Sequence, residues 1–400
     1  MITRVILLSL VFSLVSFLVV RALSPRLLRG WRQVVPYWLF VLGIHGAWLW
    51  VRAQGHGQTG DLGAAVQVIA SSWTITTLAC VFIGGPWALL RPRLEKLREK
   101  PVDLERRRFL GGAAVPAAAL ATGGGGSIAG LGPFTVRHEE IRVAGLPEAL
   151  DGFRIGQITD VHIGDFVDPD FLHEAVAAMN EARCDLQVMT GDLIDDLAQF
   201  EATLDAMEAN DAPHGMLCIL GNHEIWRGRA EVIAGYQRRA PNGRLKLLVD
   251  ESVRIDHRGT ALQVVGVDYP IGAGRRGKHR LPKEERDAKM ATMAERAWAQ
   301  VPAGDPVLCL THHPDFFPHA AKRGAALTLA GHTHGGQVAF LGFPLFRFAY
   351  DYMLGRYRKG ESHLYVSGGT GHWLPWRVGV PTEVTILTLR RAEAGRAAVS

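Results

Sequence analysis

Cysteine is scarce in this 400-residue chain, with four in all and no C-x-x-C pair. Cys80 sits in an apolar stretch, while Cys184, Cys218 and Cys309 are scattered through the remainder. An odd number in the polar part, two of them inside short apolar runs, argues against a disulfide framework and for buried free thiols. A strong charge of either sign is also missing. The 44 Lys and Arg against 39 Asp and Glu leave +5, and much of that excess flanks apolar stretches. Such a balance is no nucleic-acid footprint, and no nucleic-acid partner is expected. No repeat of solenoid period occurs, and the one low-complexity tract is Gly123–Gly126.

The absence with the largest consequence is of charge over long windows. Val5–Val20, Val34–Val51, Leu62–Leu90 and Phe109–Val136 hold no Asp, Glu, Lys or Arg. A helix needs about 20 apolar residues to cross the hydrocarbon core. The first three stretches predict transmembrane helices, with Arg4 and Arg21 snorkelling from the ends of the first and Trp38, Trp48 and Trp50 suited to an interface. Arg21, Arg26, Arg29 and Arg32 follow the first span, and Arg91, Arg93, Lys96, Arg98, Lys100 and Arg106–Arg108 follow the third. The link between the second and third carries only Arg52 and Asp61. Basic loops stay in the cytoplasm, so the expected arrangement is a multi-pass inner-membrane protein with its polar domain on the outer, periplasmic face. The fourth stretch reads two ways. Glu105-Arg106-Arg107-Arg108-Phe109-Leu110 resembles a twin-arginine export signal, with Ala119-Leu120-Ala121 as a cleavage site; it also fits a weak final helix behind a basic loop. The expected division is a membrane region over residues 1–136 and a globular domain over 137–400.

From about Val143 onward, short apolar runs alternate with amphipathic segments. Candidate strands are Phe153–Ile158, Leu186–Thr190, Met216–Leu220, Ala261–Val267, Val307–Thr311, Ala326–Ala330, His363–Ser367 and Val384–Leu389. Phe171–Arg183 and Glu201–Asn210 have helical spacing. This alternation predicts an α/β layered domain. Five of the candidate strands end in metal-capable side chains: Asp160 and His162, Asp192, Asn222 with His223, His312 with His313, and His332 with His334. One such residue after a strand is usually a turn or cap residue, but five strand ends in one chain exceed what turn chemistry supplies. Carboxylates, an amide oxygen and imidazoles without thiolate suit Mn, Fe or Zn. In an extended backbone Asp160 and His162 would point the same way, as would His332 and His334; if the motif leaves that conformation at the strand end, each pair can serve one site or two adjacent ones. Gly191, Gly221 and Gly331 permit sharp turns beside them.

D-x-H at Asp160, G-D-x-x-D at Gly191, G-N-H-E at Gly221, H-x-P at His312 and G-H-T-H-G-G-Q at Gly331–Gln337 follow one another in that order. This set resembles the calcineurin-like metallophosphoesterases, and within them the membrane-associated bacterial YaeI/YkuE-type branch, over about Arg142 to Leu389. The resemblance implies a four-layer α-β-β-α sandwich preceded by transmembrane helices, and a phosphodiesterase or phosphatase using two divalent metal ions. It makes Asp160, His162 and His334 ligands of one metal and Asn222, His312 and His332 ligands of the other. Asp192 would bridge them, and His223 would be the acid catalyst. His312 is chosen over His313 because it stands two before Pro314, which leaves His313 as a supporting residue. Asp195 reads as support for the site or as a helix-start residue, with the second slightly favoured. Glu224 reads as a supporting residue that orients His223 or as an exposed loop residue.

The substrate is less defined. Gly272–Arg280 is basic and glycine-rich, follows a strand, and reads as a segment bearing on the substrate or as a solvated flexible loop. Phe340, Phe343, Phe346, Phe348, Tyr350, Tyr352 and Tyr357, with Trp373 and Trp376, read as core or as an apolar lip for an acyl-bearing substrate. The leading expectation is a membrane-anchored hydrolase of phosphate mono- or diesters, of a lipid or envelope precursor. A second is a pyrophosphohydrolase of a nucleotide-linked lipid, of the UDP-diacylglucosamine type. A third, of another class, is a metal-stabilised binding or sensor module without turnover. Oligomeric state is not legible.

Overall fold

The computed structural model describes residues 2–24, 28, 30–54, 60–96, 104–272, 281–340, 343–344 and 350–392. Arg26, Arg29, Arg98 and Lys100, the side chains of Arg106–Arg108, Phe346, Phe348 and the basic part of Gly272–Arg280 lie outside the described residues. The chain divides into two compact units. One is Met1–Gly132 with Leu374–Val378, the other Pro133–Trp373 with Gly379–Ser400.

The first unit is helical: α1 (Ile2–Leu23), α2 (Trp31–Gln54), α3 (Gly60–Ala79), α4 (Gly85–Lys96) and α5 (Leu104–Gly130), with a π-helical turn at Cys80–Gly84 between α3 and α4. Among the described residues three helical stretches are long and apolar enough to cross a membrane: Ile6–Leu23, Trp31–Val51 and Gly60–Leu90. Small hydroxyl residues hold them together, as interiors without water favour. Ser9 Oγ lies 2.8 Å from both Thr74 Oγ1 and the buried His45 Nε2, and Trp73 Nε1 donates to Ser13 Oγ at 2.9 Å. Two glycines of the tract in α5, Gly123 and Gly126, face close neighbours, Gly123 against Thr76 and Ser72. A Cβ on Gly126 would come within 2.1 Å of Trp376 Nε1, which donates to Thr122 O at 3.1 Å. Arg377 N donates to Gly126 O at 2.8 Å, so Leu374–Val378 lies along α5.

The second unit is built on two six-stranded sheets. Their strands are β1 (Thr135–Val143), β2 (Arg154–Ile158), β3 (Leu186–Thr190), β4 (Met216–Ile219), β5 (Leu245–Leu247), β6 (Glu251–His257), β7 (Thr260–Gly266), β8 (Val307–Leu310), β9 (Ala325–Ala330), β12 (Gly355–Lys359), β13 (Ser362–Val366) and β14 (Glu383–Arg391). A short hairpin, β10 (Ala339–Phe340) and β11 (Phe343–Pro344), stands apart from them. The first sheet runs β1-β14-β2-β3-β4-β5 and the second β12-β13-β9-β8-β7-β6. Strands β2 to β5 are mutually parallel, while β14 runs antiparallel to β2 and parallel to the edge strand β1. In the second sheet β13, β9, β8 and β7 are mutually parallel, with β12 and β6 antiparallel at its two edges.

Between the sheets lies an aliphatic layer that includes Ile155, Val188, Leu217, Leu308, Leu329 and Leu387, all buried. Each such side chain contributes about 1.5–3 kcal/mol relative to exposure. Helices α6 (Pro169–Glu181), α7 (Phe200–Glu208) and α8 (Asn222–Arg239) cover the outer face of the first sheet through a second core. Helices α9 (Lys283–Ala297) and α10 (Phe317–Lys322) cover the second sheet through a third. The result is an α-β-β-α sandwich of four layers. Helix α6 shows why the outer layers form. Asp168 caps it by accepting from Phe171 N at 2.9 Å, Pro169 opens it, and Leu172, Ala175, Val176 and Met179 share its buried face.

Candidate metal centre

The parallel strands β2, β3 and β4 of the first sheet and β8 and β9 of the second deliver their carboxyl ends to one place. Asp160 and His162 follow β2, Asp192 follows β3, Asn222 opens α8 after β4, His312 follows β8, and His332 and His334 follow β9. The structure draws three overlapping trios of metal-capable groups from them: Asp160, His162 and His334; Asp192, His312 and His332; and His162, Asp192 and His223. Within the first, His162 Nε2 stands 3.1 Å from His334 Nε2, which is 3.3 Å from Asp160 Oδ1. In the second, His312 Nε2 lies 3.1 Å from Asp192 Oδ2 and 3.2 Å from His332 Nδ1. The same Asp192 Oδ2 is 3.9 Å from His162 Nε2, so its carboxylate sits between the trios. His313 stacks on His332 at 5.0 Å instead of joining the cluster.

The backbone that aims these side chains is not extended. Asp160, His162, Asp192, His332 and His334 have φ of +51°, +57°, +56°, +74° and +48°, a region that side chains with a Cβ seldom enter. Both motifs thus leave the extended conformation at the strand end, the second of the two cases that the spacing allows. Local conformations of this sort cost on the order of 1–3 kcal/mol each and persist where surrounding structure imposes them. Part of that surrounding is Gly221, where a Cβ would fall 2.2 Å from Asp192 Oδ1. Asp160 is held by the backbone N–H of His332 at 2.9 Å and by Thr159 Oγ1 at 2.8 Å.

Glu224 is not an exposed loop residue, and the support it gives goes to the Asp192 loop, with no hydrogen bond to His223 among the described residues. It is buried in the first turn of α8, and its carboxylate accepts from Gly221 N at 2.7 Å, Asp192 N at 3.0 Å, Leu193 N at 2.5 Å and Ile194 N at 3.1 Å. The side chain thus reads the helix start and the Asp192 loop together, as the glutamate of a capping box does. Burial, and then the Asp192 charge, push its pKa up, with the N–H donors opposing.

Asp195 is likewise reassigned. The helix-start role belongs to Asp196, whose side chain accepts from Ala198 N at 3.1 Å. Asp195 Oδ1 meets His223 Nδ1 at 2.5 Å and takes both Nε and Nη2 of Arg227 at 3.1 Å, while Oδ2 is 3.4 Å from His162 Nδ1. The neighbouring histidine charges hold Asp195 well below the usual carboxylate range despite its burial. Burial opposes a charge on His223, but the Asp192 and Asp195 carboxylates outweigh it and push its pKa up to about 9. His312 is pushed up to about 9 in the same way, by Asp192 and Asp160 against burial.

The donor set fits divalent metal ions. Asn222 Oδ1 is buried with no hydrogen-bond partner, a costly state for an amide oxygen unless it serves a ligand. The surrounding imidazoles and carboxylates, without a thiolate, are the donors that Mn, Fe or Zn accept. The four cysteines are buried and unpaired. Sequence reasoning missed Arg227, Trp226 (4.8 Å from the His223 ring) and Tyr269, and it read Tyr350 only as core or apolar lip; the hydroxyls of Tyr269 and Tyr350 reach His332 Nε2 at 3.4 Å and 3.2 Å. Arg227, four residues after His223 on one helix, was the signal available for the first. Among the described residues the other expected aromatics have separate surroundings. Tyr352 and Tyr357 pack with Phe317, Trp376 lies along α5, and Phe343 and Trp373 are exposed.

Residues 153–336 match the calcineurin-like phosphoesterase family. Over 305 residues the chain is 30% identical to the uncharacterised metallophosphoesterase YkuE of Bacillus subtilis, covering 72% of this chain and 98% of that one. It is 29% identical over 254 residues to an uncharacterised metallophosphoesterase of Campylobacter jejuni, 61% of each chain. A transmembrane protein with a metallophosphoesterase domain from Danio rerio is 27% identical over 283 residues, 65% of this chain and 58% of that one. The chain thus spans about three fifths of the length of these last two relatives. It belongs to the calcineurin-like phosphoesterase family, hydrolases of phosphoric esters, and its Asp and His trios are candidate sites for divalent metals. The three apolar helices and the transmembrane relatives point to a membrane protein.

Proposed function

We propose that this chain is a membrane-anchored phosphoesterase that works with two divalent metal ions on phosphate mono- or diesters, lipid-linked or derived from an envelope precursor. The observation that carries the reading is the pair of trios, Asp160 with His162 and His334 and Asp192 with His312 and His332, with the Asp192 carboxylate between them and the orphaned Asn222 Oδ1 at a further strand end. Asp160, His162 and His334 would hold one ion, Asn222, His312 and His332 the other, and Asp192 both. When bound, such ions would offset the charge of the phosphoryl oxygens and lower the pKa of water, so that it loses a proton and supplies hydroxide as the nucleophile.

The chain's own residues supply the rest. Asp195 accepts at His223 Nδ1, which fixes that nitrogen as the protonated one shared with the carboxylate. His223 Nε2, 3.9 Å from Asp192 Oδ2, is then the atom that delivers a proton to the departing oxygen. Arg227 pins Asp195 through two donors and so keeps the imidazole from turning. Glu224 holds the Asp192 loop in its strained conformation. Hydrolysis of a bis-aryl against a mono-aryl phosphate by the detergent-solubilised chain, with and without Mn²⁺, tests the reading. Metal-dependent release from either ester supports it, and no turnover of either in metal sinks it.

We also propose that the catalytic domain faces the outside of the inner membrane, on the strength of the basic loops after the first and third spans. Protease digestion of the domain in intact spheroplasts supports this. Digestion only after lysis overturns it and favours a cytoplasmic nucleotide-linked lipid as substrate.

A further inference from the structure

His332 has two nitrogens with different surroundings. Nδ1 faces His312 Nε2 at 3.2 Å, on the side of Asp192, while Nε2 faces the hydroxyls of Tyr350 at 3.2 Å and Tyr269 at 3.4 Å. An imidazole that gives Nδ1 to a cation keeps its hydrogen on Nε2 and must donate it. Both phenolic oxygens stand where they can accept.

The two phenols come from different parts of the fold. Tyr269 lies in the loop after β7, where Tyr269 N donates to Asp268 Oδ1 at 2.8 Å. Asp268 is in turn fixed by Arg229 of α8 at 2.8 Å and donates its own N–H to Asp250 Oδ1 at 3.0 Å. The Tyr269 ring also lies 5.8 Å from His312 and 5.9 Å from His313. Tyr350 arrives from beyond β11, and its ring stands 5.8 Å from His313 and at 87° to His332. His332 itself sits at φ +74°, so its backbone alone does not favour the observed orientation.

We propose that Tyr269 and Tyr350 are paired positioning residues: together they accept from His332 Nε2 and fix the ring with Nδ1 turned toward one metal position. The inference rests on the dinuclear reading above. Because either phenol can take the single Nε2 hydrogen, the pair is redundant. Removing one hydroxyl has little effect, and removing both frees the ring.

The test is metal titration of the full chain in detergent after chelation, using Mn²⁺ for calorimetry and Co²⁺ for absorption. Tyr269→Phe and Tyr350→Phe keep the rings and the fold. Each single exchange is expected to leave both binding events near parental affinity. The double exchange should weaken one event by about 10–100-fold, the range seen when an outer hydrogen-bond partner of a metal-bound histidine is lost. It should also shift the Co²⁺ absorption of that event only. In a His332→Ala background the double exchange should change nothing further. A double variant that binds both ions like the parent overturns the pairing, as does one that loses affinity equally with and without His332. A parent chain showing no two binding events overturns the dinuclear reading itself, and the proposal with it.

Discussion

The first sheet and the second support the same cluster by different means. On the side of β2, β3 and β4, ionised groups do the holding: Arg227 grips Asp195, Asp195 grips His223 and lies beside His162, and Glu224 gathers four backbone N–H groups around Asp192. On the side of β8 and β9, His312 leans on a backbone carbonyl, Thr190 O, at 2.8 Å, and His332 is ringed by His313, Tyr269 and Tyr350. Charged support is strong at short range and fails badly when one partner is removed, because a buried charge is left alone. Neutral and aromatic support is weaker per contact and shared among several groups. The first half should therefore break at single residues, and the second should yield by degrees.

The largest expected effect is at Asp192. Asp192→Ala should take turnover to background and release both metals, read by elemental analysis. Retention of two ions per chain would remove its bridging role. Next comes Glu224→Ala, which strands four N–H groups that are buried or nearly so. At about 1–3 kcal/mol for each unsatisfied group, the loss reaches several kcal/mol and should appear as a large fall in the denaturation midpoint of the catalytic domain. A midpoint unchanged by Glu224→Ala would erase the contrast between the two halves.

His223→Ala and Asp195→Asn come third. Both should keep the metals and slow hydrolysis by about 10²–10⁴-fold, more for alkyl than for aryl leaving groups. An equal loss for both esters would mean that His223 does not protonate the leaving oxygen. On the other side, His312→Ala should lower metal occupancy while His313→Ala leaves it unchanged, and the reverse would shift the register across Thr311–Pro314 by one. The smallest effect concerns pH. His312, pushed up to about 9 in the metal-free cluster, carries a proton at neutral pH that an incoming ion must displace. Metal affinity should therefore rise with pH up to about 9, with proton release visible in calorimetry across buffers of different ionisation enthalpy. A pH-independent affinity would show that the carboxylates alone set it.

The legible part of the molecule was the part whose signal is local. Eight apolar runs predict strands, and β2, β3, β4, β7, β8, β9, β13 and β14 form within a residue or two of each. The metal-capable residues were readable because they sit just beyond those runs. Strands β1 and β12 were not, since Thr135–Val143 and Gly355–Lys359 are rich in charge and take their order from partners across the sheet. Helix α8 escaped because Gly228, at φ 166°, breaks its pattern and because its first turn reads as a loop motif. The duties of Glu224 and Tyr269 depend on what stands opposite them in space. No spacing in the chain records that.

One consequence of the positive φ angles lies in how such a domain would age. Five of the donor positions hold conformations in which a side chain is a liability, tolerated for the sake of what it binds. Release from the demand for turnover would make glycine the more comfortable occupant at Asp160, Asp192 or His332, and the fold would gain stability by losing its chemistry. A relative with glycine at those strand tips and an intact sandwich would be an enzyme in retirement. Asp192→Gly should accordingly melt higher than Asp192→Ala, although neither turns over substrate.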